Sequence, residues 1–108
     1  MKGLRMLKVM SLMKRKEGMS YDEFRNWALN EHPPLAEKLP GLRGYRMNVP
    51  VAENPDSPYD AISEMWFDDE AGRLAAFGTD AGKAAGADAA GHASSRFHFM
   101  AEEKVVIG

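Results

Sequence analysis

Met6-Leu7-Lys8-Val9-Met10-Ser11-Leu12-Met13 is apolar at both alternations: Leu7, Val9 and Met13 on one set of positions, Met6, Met10 and Leu12 on the other. Only Lys8 and Ser11 interrupt it before Lys14-Arg15-Lys16-Glu17-Gly18 ends the run. Successive side chains of a strand point to opposite faces of a sheet, so this strand has two faces to cover. Ala61-Ile62-Ser63-Glu64-Met65-Trp66-Phe67 repeats the pattern, with Met65 and Phe67 against Ile62 and Trp66. A sheet wetted on one side alternates apolar with polar residues, and these two strands do not.

The intervening segments supply helices and two further strands. Ser20 lies three residues before Glu23, the spacing of a capping box, and Phe24, Trp27 and Ala28 follow at helical intervals, so a helix begins near Tyr21. Pro33 and Pro34 lack amide protons and disfavour α geometry in their predecessors, which predicts that the helix stops or kinks at His32. Leu42 to Val49 alternates as a second strand, and Pro50 to Pro58 has loop composition. Asp68 or Asp69 can cap a helix that carries Leu74 and Phe77 and ends near Gly78. From Gly78 to Ala93 the chain is mostly alanine and glycine; interior glycines cost about 1 kcal/mol each relative to alanine, so a weak helix is expected. Arg96 to Ala101 reads as a fourth strand, followed by the apolar tail Val105-Val106-Ile107.

The order βαββαβ is the ferredoxin-like α+β arrangement: a four-stranded antiparallel sheet with helices on one face. No element remains for the other apolar face. A second copy packed sheet against sheet is the economical cover, with a ligand cavity between sheet and cover.

The bulk properties narrow the function classes. A chain of 108 residues corresponds to one domain, 1–108, with no room for a separate cofactor domain. Its 44% hydrophobic and 28% charged residues suit a soluble globular core. The absence of cysteine excludes disulfides, thiolate metal sites and cysteine nucleophiles. No signal peptide or membrane span is legible, so a cytoplasmic location is expected. A net charge of −2 draws the chain to neither nucleic acid nor anionic lipid. The expected partners are a small molecule and a second copy.

His32 is the first candidate for chemistry, because imidazole both takes and gives a proton near neutral pH. It sits at the helix break, where Glu31 could fix its tautomer; the alternative is a solvated histidine at a helix end. Tyr45 shares its strand face with Met47 and Val49 and either polarises a substrate carbonyl or packs with its hydroxyl at the rim. Glu64 lies between Ile62 and Trp66 and is either a pocket acid or the partner of Arg43 or Arg46. Met10, Met47, Ile62 and Trp66 suit the apolar wall of a pocket, although methionines are commonly core filler. His92 and His98 have no metal-ligand spacing, and no HExxH, P-loop or GxGxxG pattern occurs, so no metal or cofactor is expected.

Met10-Ser11-Leu12-Met13-Lys14-Arg15-Lys16, Gly18-Met19-Ser20, Phe24, Trp27, His32-Pro33-Pro34-Leu35, Leu39-Pro40-Gly41-Leu42, Tyr45 and Glu64-Met65-Trp66-Phe67 together resemble the EthD family. The resemblance is strongest up to the Pro-Gly turn and thin after Phe77. It implies a dimeric α+β barrel whose relatives include muconolactone-type isomerases, a methylmuconolactone methylisomerase and aromatic polyketide cyclases, which use histidine and tyrosine without metal or organic cofactor. His32 matches the histidine of that motif, and Tyr45 matches the tyrosine after the Pro-Gly turn. The loop Pro50 to Pro58 departs from the methylisomerase pattern in lacking a further histidine.

The implied activity is cofactor-independent acid/base catalysis, of isomerase or cyclase type, on a small apolar lactone, enone or aromatic intermediate of catabolism or secondary metabolism. An accessory or small-molecule-binding role beside an oxidative degradation pathway is the alternative, since the family's namesake is associated with a cytochrome P450 system that degrades a fuel ether. A haem-degrading or quinol monooxygenase is a third reading, in which Trp66 and His92 form the working pair; Ser11 stands where such enzymes carry asparagine.

Overall fold

A computed structural model describes residues 6–108, so the polar start, residues 1–5, lies outside the described residues. The elements are β1 (Leu7–Arg15), α1 (Tyr21–Asn26), a π-helical turn (Trp27–Glu31), α2 (Pro33–Ala36), β2 (Gly44–Asn48), β3 (Ala61–Phe67), α3 (Glu70–Phe77), α4 (Asp80–His92) and β4 (Ala93–Ala101). The strands form one antiparallel sheet in the order β2-β3-β1-β4. This is the expected ferredoxin-like α+β fold, with each crossover helix divided into segments.

β1 and β4 are longer than their apolar runs. Lys14 and Arg15 pair with Ser95 and Ala93 across a bulge, so they extend the strand rather than opening a solvated loop. Asp60 is the reason: it is buried, accepts from the Arg15 backbone N–H at 3.0 Å, and lies 3.3 Å from Lys14 Nζ. A buried carboxylate needs such partners, and two consecutive basic residues supply them.

Alternation along β3 assigns the sheet faces. Ala61, Ser63, Met65 and Phe67 are buried beneath the helices, while Ile62, Glu64 and Trp66 point to the other side. Register extends this across β1, where Val9 opposes Met65 and Met10 opposes Glu64. Two clusters fill the helix side: Val9, Leu39, Met65 and Phe67 in one, and Met13, Phe24, Trp27 and Ala61 in the other. The open face carries Met10, Leu12, Ile62 and Trp66, with Phe97 and Phe99 just over half exposed. Lys8 bridges Glu64 at 3.2 Å and Glu103 at 2.8 Å on that face.

Ser20 forms the anticipated capping box with Glu23. At the prolines the helix changes pitch instead of ending. The His32 N–H bonds Trp27 O at 2.9 Å, five residues back, and His32 keeps α geometry (φ −75°, ψ −44°) as the chain passes into α2. The expected displacement of His32 from the α region is therefore corrected: widening by one residue absorbs the amides that Pro33 and Pro34 lack. Asp69 caps α3 and Thr79 caps α4, and α4 is a continuous helix despite its glycines. A Cβ on Gly82 would overlap the Ala76 carbonyl oxygen and lie 2.5 Å from Phe77 Cα, so glycine permits the α3–α4 junction. No helix among the described residues is long and apolar enough to cross a membrane.

Candidate active site

α4 presents little but alanine and glycine to the sheet, and beneath it β1 and β3 contribute the paired serines Ser11 and Ser63. Short side chains above and below leave a cavity of about 430 Å³, within the range of small-molecule sites. Its floor includes Val9, Met13 and Met65, α4 contributes Ala85 and Ala89, and His32 forms part of the wall. The cavity thus lies between the sheet and the helices of one chain, rather than beyond the open face where a covering copy was expected to enclose it.

His32 is only 6% exposed. Its Nδ1 lies 2.8 Å from Asp88 Oδ2, and the same oxygen accepts the Trp27 indole N–H at 3.0 Å. An indole nitrogen only donates, so that oxygen is an acceptor, and His32 completes the contact by donating from Nδ1. Nε2 is then the nitrogen left to accept a proton from a molecule in the cavity. The π turn brings the His32 ring to 4.8 Å from Trp27, and Trp27 stacks on His92 at 4.5 Å with an interplanar angle of 12°. His92 Nδ1 in turn meets Asp88 O at 2.7 Å. Ring and carboxylate are held from both sides.

Glu31, the expected orienter, instead accepts from Asn26 at 2.8 Å on the surface. Asp88 does that work from a helix 56 residues away. It lies on α4 within the alanine- and glycine-rich stretch, where nothing in the local sequence marks it as the partner of His32.

The remaining candidates are dispersed. Met10, Ile62, Glu64 and Trp66 occupy the open face, separated from the cavity by the sheet itself. Glu64 is engaged by Lys8 and by Asn48 Nδ2 at 3.0 Å, not by Arg43, which pairs with Asp68. Trp66 lies beneath Lys8 and Arg46, at 4.9 and 5.4 Å from its ring centroid. Trp66 and His92 are thus on opposite sides of the sheet, which dissolves the pair required by the monooxygenase reading.

Tyr45 and Met47 do face the helices, yet neither lines the cavity. Met65, the cross-strand neighbour of Tyr45, lines it instead. The Tyr45 hydroxyl is buried without a hydrogen-bond partner, and its pKa is pushed up to about 12 by burial and, secondarily, by the charge of Glu37. Met47 packs against the cluster containing Trp27. His98, which opposes Ser11, also lines the cavity, and its pKa is lowered by burial first, then by Arg96 and Arg73. Among the described residues no group of three or more His, Cys, Asp or Glu side chains is placed to hold a metal.

Residues 16–96 match the EthD domain family. The chain is 34% identical over 74 residues to 4-carboxymethyl-4-methylbutenolide mutase from Pseudomonas reinekei, covering 60% of this chain and 67% of the mutase. Among solved structures it is similar to an ethyl tert-butyl ether d (ethd) family protein from Bacillus halodurans, with 32% identity, a TM-score of 0.78, and coverage of 92% of this chain and 99% of that one. A dimeric ferredoxin-like protein from Thermobifida fusca shares the fold at 18% identity, with a TM-score of 0.74 and coverage of 93% of each chain.

Proposed function

The chain belongs to the EthD family, and on that premise we propose that it is a cofactor-independent acid/base isomerase acting on a small lactone or related carbonyl compound. The observation that carries this reading is buried His32 in the wall of the cavity, paired through Nδ1 with the half-buried Asp88. The similarity to a butenolide mutase supports the substrate class.

In this reading His32 Nε2 removes a proton from a carbon activated by the substrate carbonyl and returns it at another carbon of the same conjugated system. Atoms balance without an external oxidant or reductant. Asp88 keeps the proton of the resting ring on Nδ1 and stabilises the imidazolium formed in between. Val9, Met13, Met65, Ala85 and Ala89 exclude water, which strengthens that electrostatic contribution. In this reading the working unit is a cytoplasmic homodimer of one EthD-like domain; several solved structures that share the fold are described as dimeric.

The test is deuterium incorporation from heavy water into 4-carboxymethyl-4-methylbutenolide, followed by NMR, which detects proton shuttling without net conversion. His32→Ala should reduce the exchange by a factor of about 10²–10⁴ while leaving circular dichroism unchanged. Unchanged exchange would overturn the assignment. Tight binding without exchange in the wild type would favour the accessory role.

A further inference from the structure

Resting on the reading above, we propose that the cavity recognises an anion: its ligand is a small acid whose apolar body lies along the sheet and whose carboxylate is held by Lys83 and Arg96. Cationic side chains reach the cavity from three elements: Arg73 from α3, Lys83 from α4 and Arg96 from β4. No aspartate or glutamate accompanies them in its lining. Arg73 is already neutralised by Glu70, through contacts of 2.6 and 2.8 Å. Lys83 and Arg96 have no ion pair among the described residues, so their charge is available to a ligand. His98 lines the same cavity, and its pKa is lowered by burial first, then by the charges of Arg96 and Arg73.

A carboxylate held by Lys83 and Arg96 would lie in the same cavity whose wall includes His32. The anion site therefore sets which end of the substrate enters and which carbon faces the imidazole.

Phenylacetate, with one ring and one carboxylate, and its neutral analogue phenylacetamide are the probes, compared by calorimetry against the wild type and the Lys83→Met, Arg96→Met and double variants. Both residues are exposed, so the substitutions leave the core intact. Phenylacetate should bind at least about tenfold tighter than the amide, with the difference narrowing as salt is raised. Each single variant should reduce the difference and the double should abolish it, with amide affinity unaffected. Equal affinities, a preference that survives in the double variant, or binding of neither probe would overturn the proposal. His32→Ala separates this from the catalytic reading: a retained preference with unaltered proton exchange would leave the anion site standing and remove the proton shuttle.

Discussion

Asp88 accepts from two donors with one carboxylate oxygen, so its replacement by the isosteric amide separates the charge of that group from its geometry. In Asp88→Asn the amide oxygen can take the place of the shared oxygen and keep both N–H donors, so the His32 ring stays protonated on Nδ1 while the negative charge that stabilises the imidazolium is lost. We expect exchange to fall by about 10²-fold or more with the imidazole nitrogen shift pattern in NMR unaltered. Unchanged exchange would mean that Asp88 only orients the ring. Tyr45 gives the opposite prediction. A buried hydroxyl without a partner costs about 1–3 kcal/mol, so Tyr45→Phe should stabilise the fold by roughly 1 kcal/mol and leave exchange intact. Because the folded-state pKa is raised to about 12, the phenol's contribution to stability is present below its ordinary value near 10 and is lost as pH climbs from 10 toward 12. Denaturant titrations of both proteins at pH 7 and pH 11 should show the gap in favour of the variant widening at the higher pH.

At the level of elements, α4 carries the clearest conflict between local propensity and packing. Gly82 and Gly91 are equally poor helix formers, yet a methyl on Gly82 meets backbone atoms of Ala76 and Phe77, whereas one on Gly91 meets nothing within 4 Å. Gly91→Ala should therefore gain up to about 1 kcal/mol by thermal melting, and Gly82→Ala should lose about 1–3 kcal/mol by forcing α3 and α4 apart. Equal effects at the two positions would mean that α4 does not pack as described. These elements also show what was legible in the chain itself. The strands, the Ser20–Glu23 box and the break at His32 follow from local chemistry, and all are present, the break taking the form of a π turn. Asp88 was not legible, because its contact with His32 spans two crossover segments and leaves no mark on periodicity. The face assignment of Ile62, Glu64 and Trp66 was hidden for a related reason: when both faces of a strand are apolar, alternation does not say which one lies over the cavity.

On the scale of the whole molecule, the proposed dimer would cover the open face. Its apolar part is concentrated toward β4 and β1, where Phe97 opposes Leu12 and Phe99 opposes Met10, while the Lys8, Glu64 and Glu103 charges cluster near Trp66. A two-fold axis over this face would bring apolar patch to apolar patch, and any substitution in the patch would enter the contact twice. Phe97→Glu should therefore convert a sedimenting dimer into a monomer and abolish the rise of melting temperature with protein concentration expected of the wild type. Leu74→Glu is the matched control: Leu74 is 58% exposed on α3, on the helix side, and its loss should leave the dimer intact. The cavity and the His32–Asp88 pair lie within one chain, so a folded Phe97→Glu monomer should still exchange protons with substrate. A wild type that is monomeric at every concentration would overturn the dimer, and dissociation by Leu74→Glu rather than Phe97→Glu would place the interface elsewhere. A monomer that folds but loses exchange would show that dimerisation, although remote from the cavity, holds the sheet in its working shape.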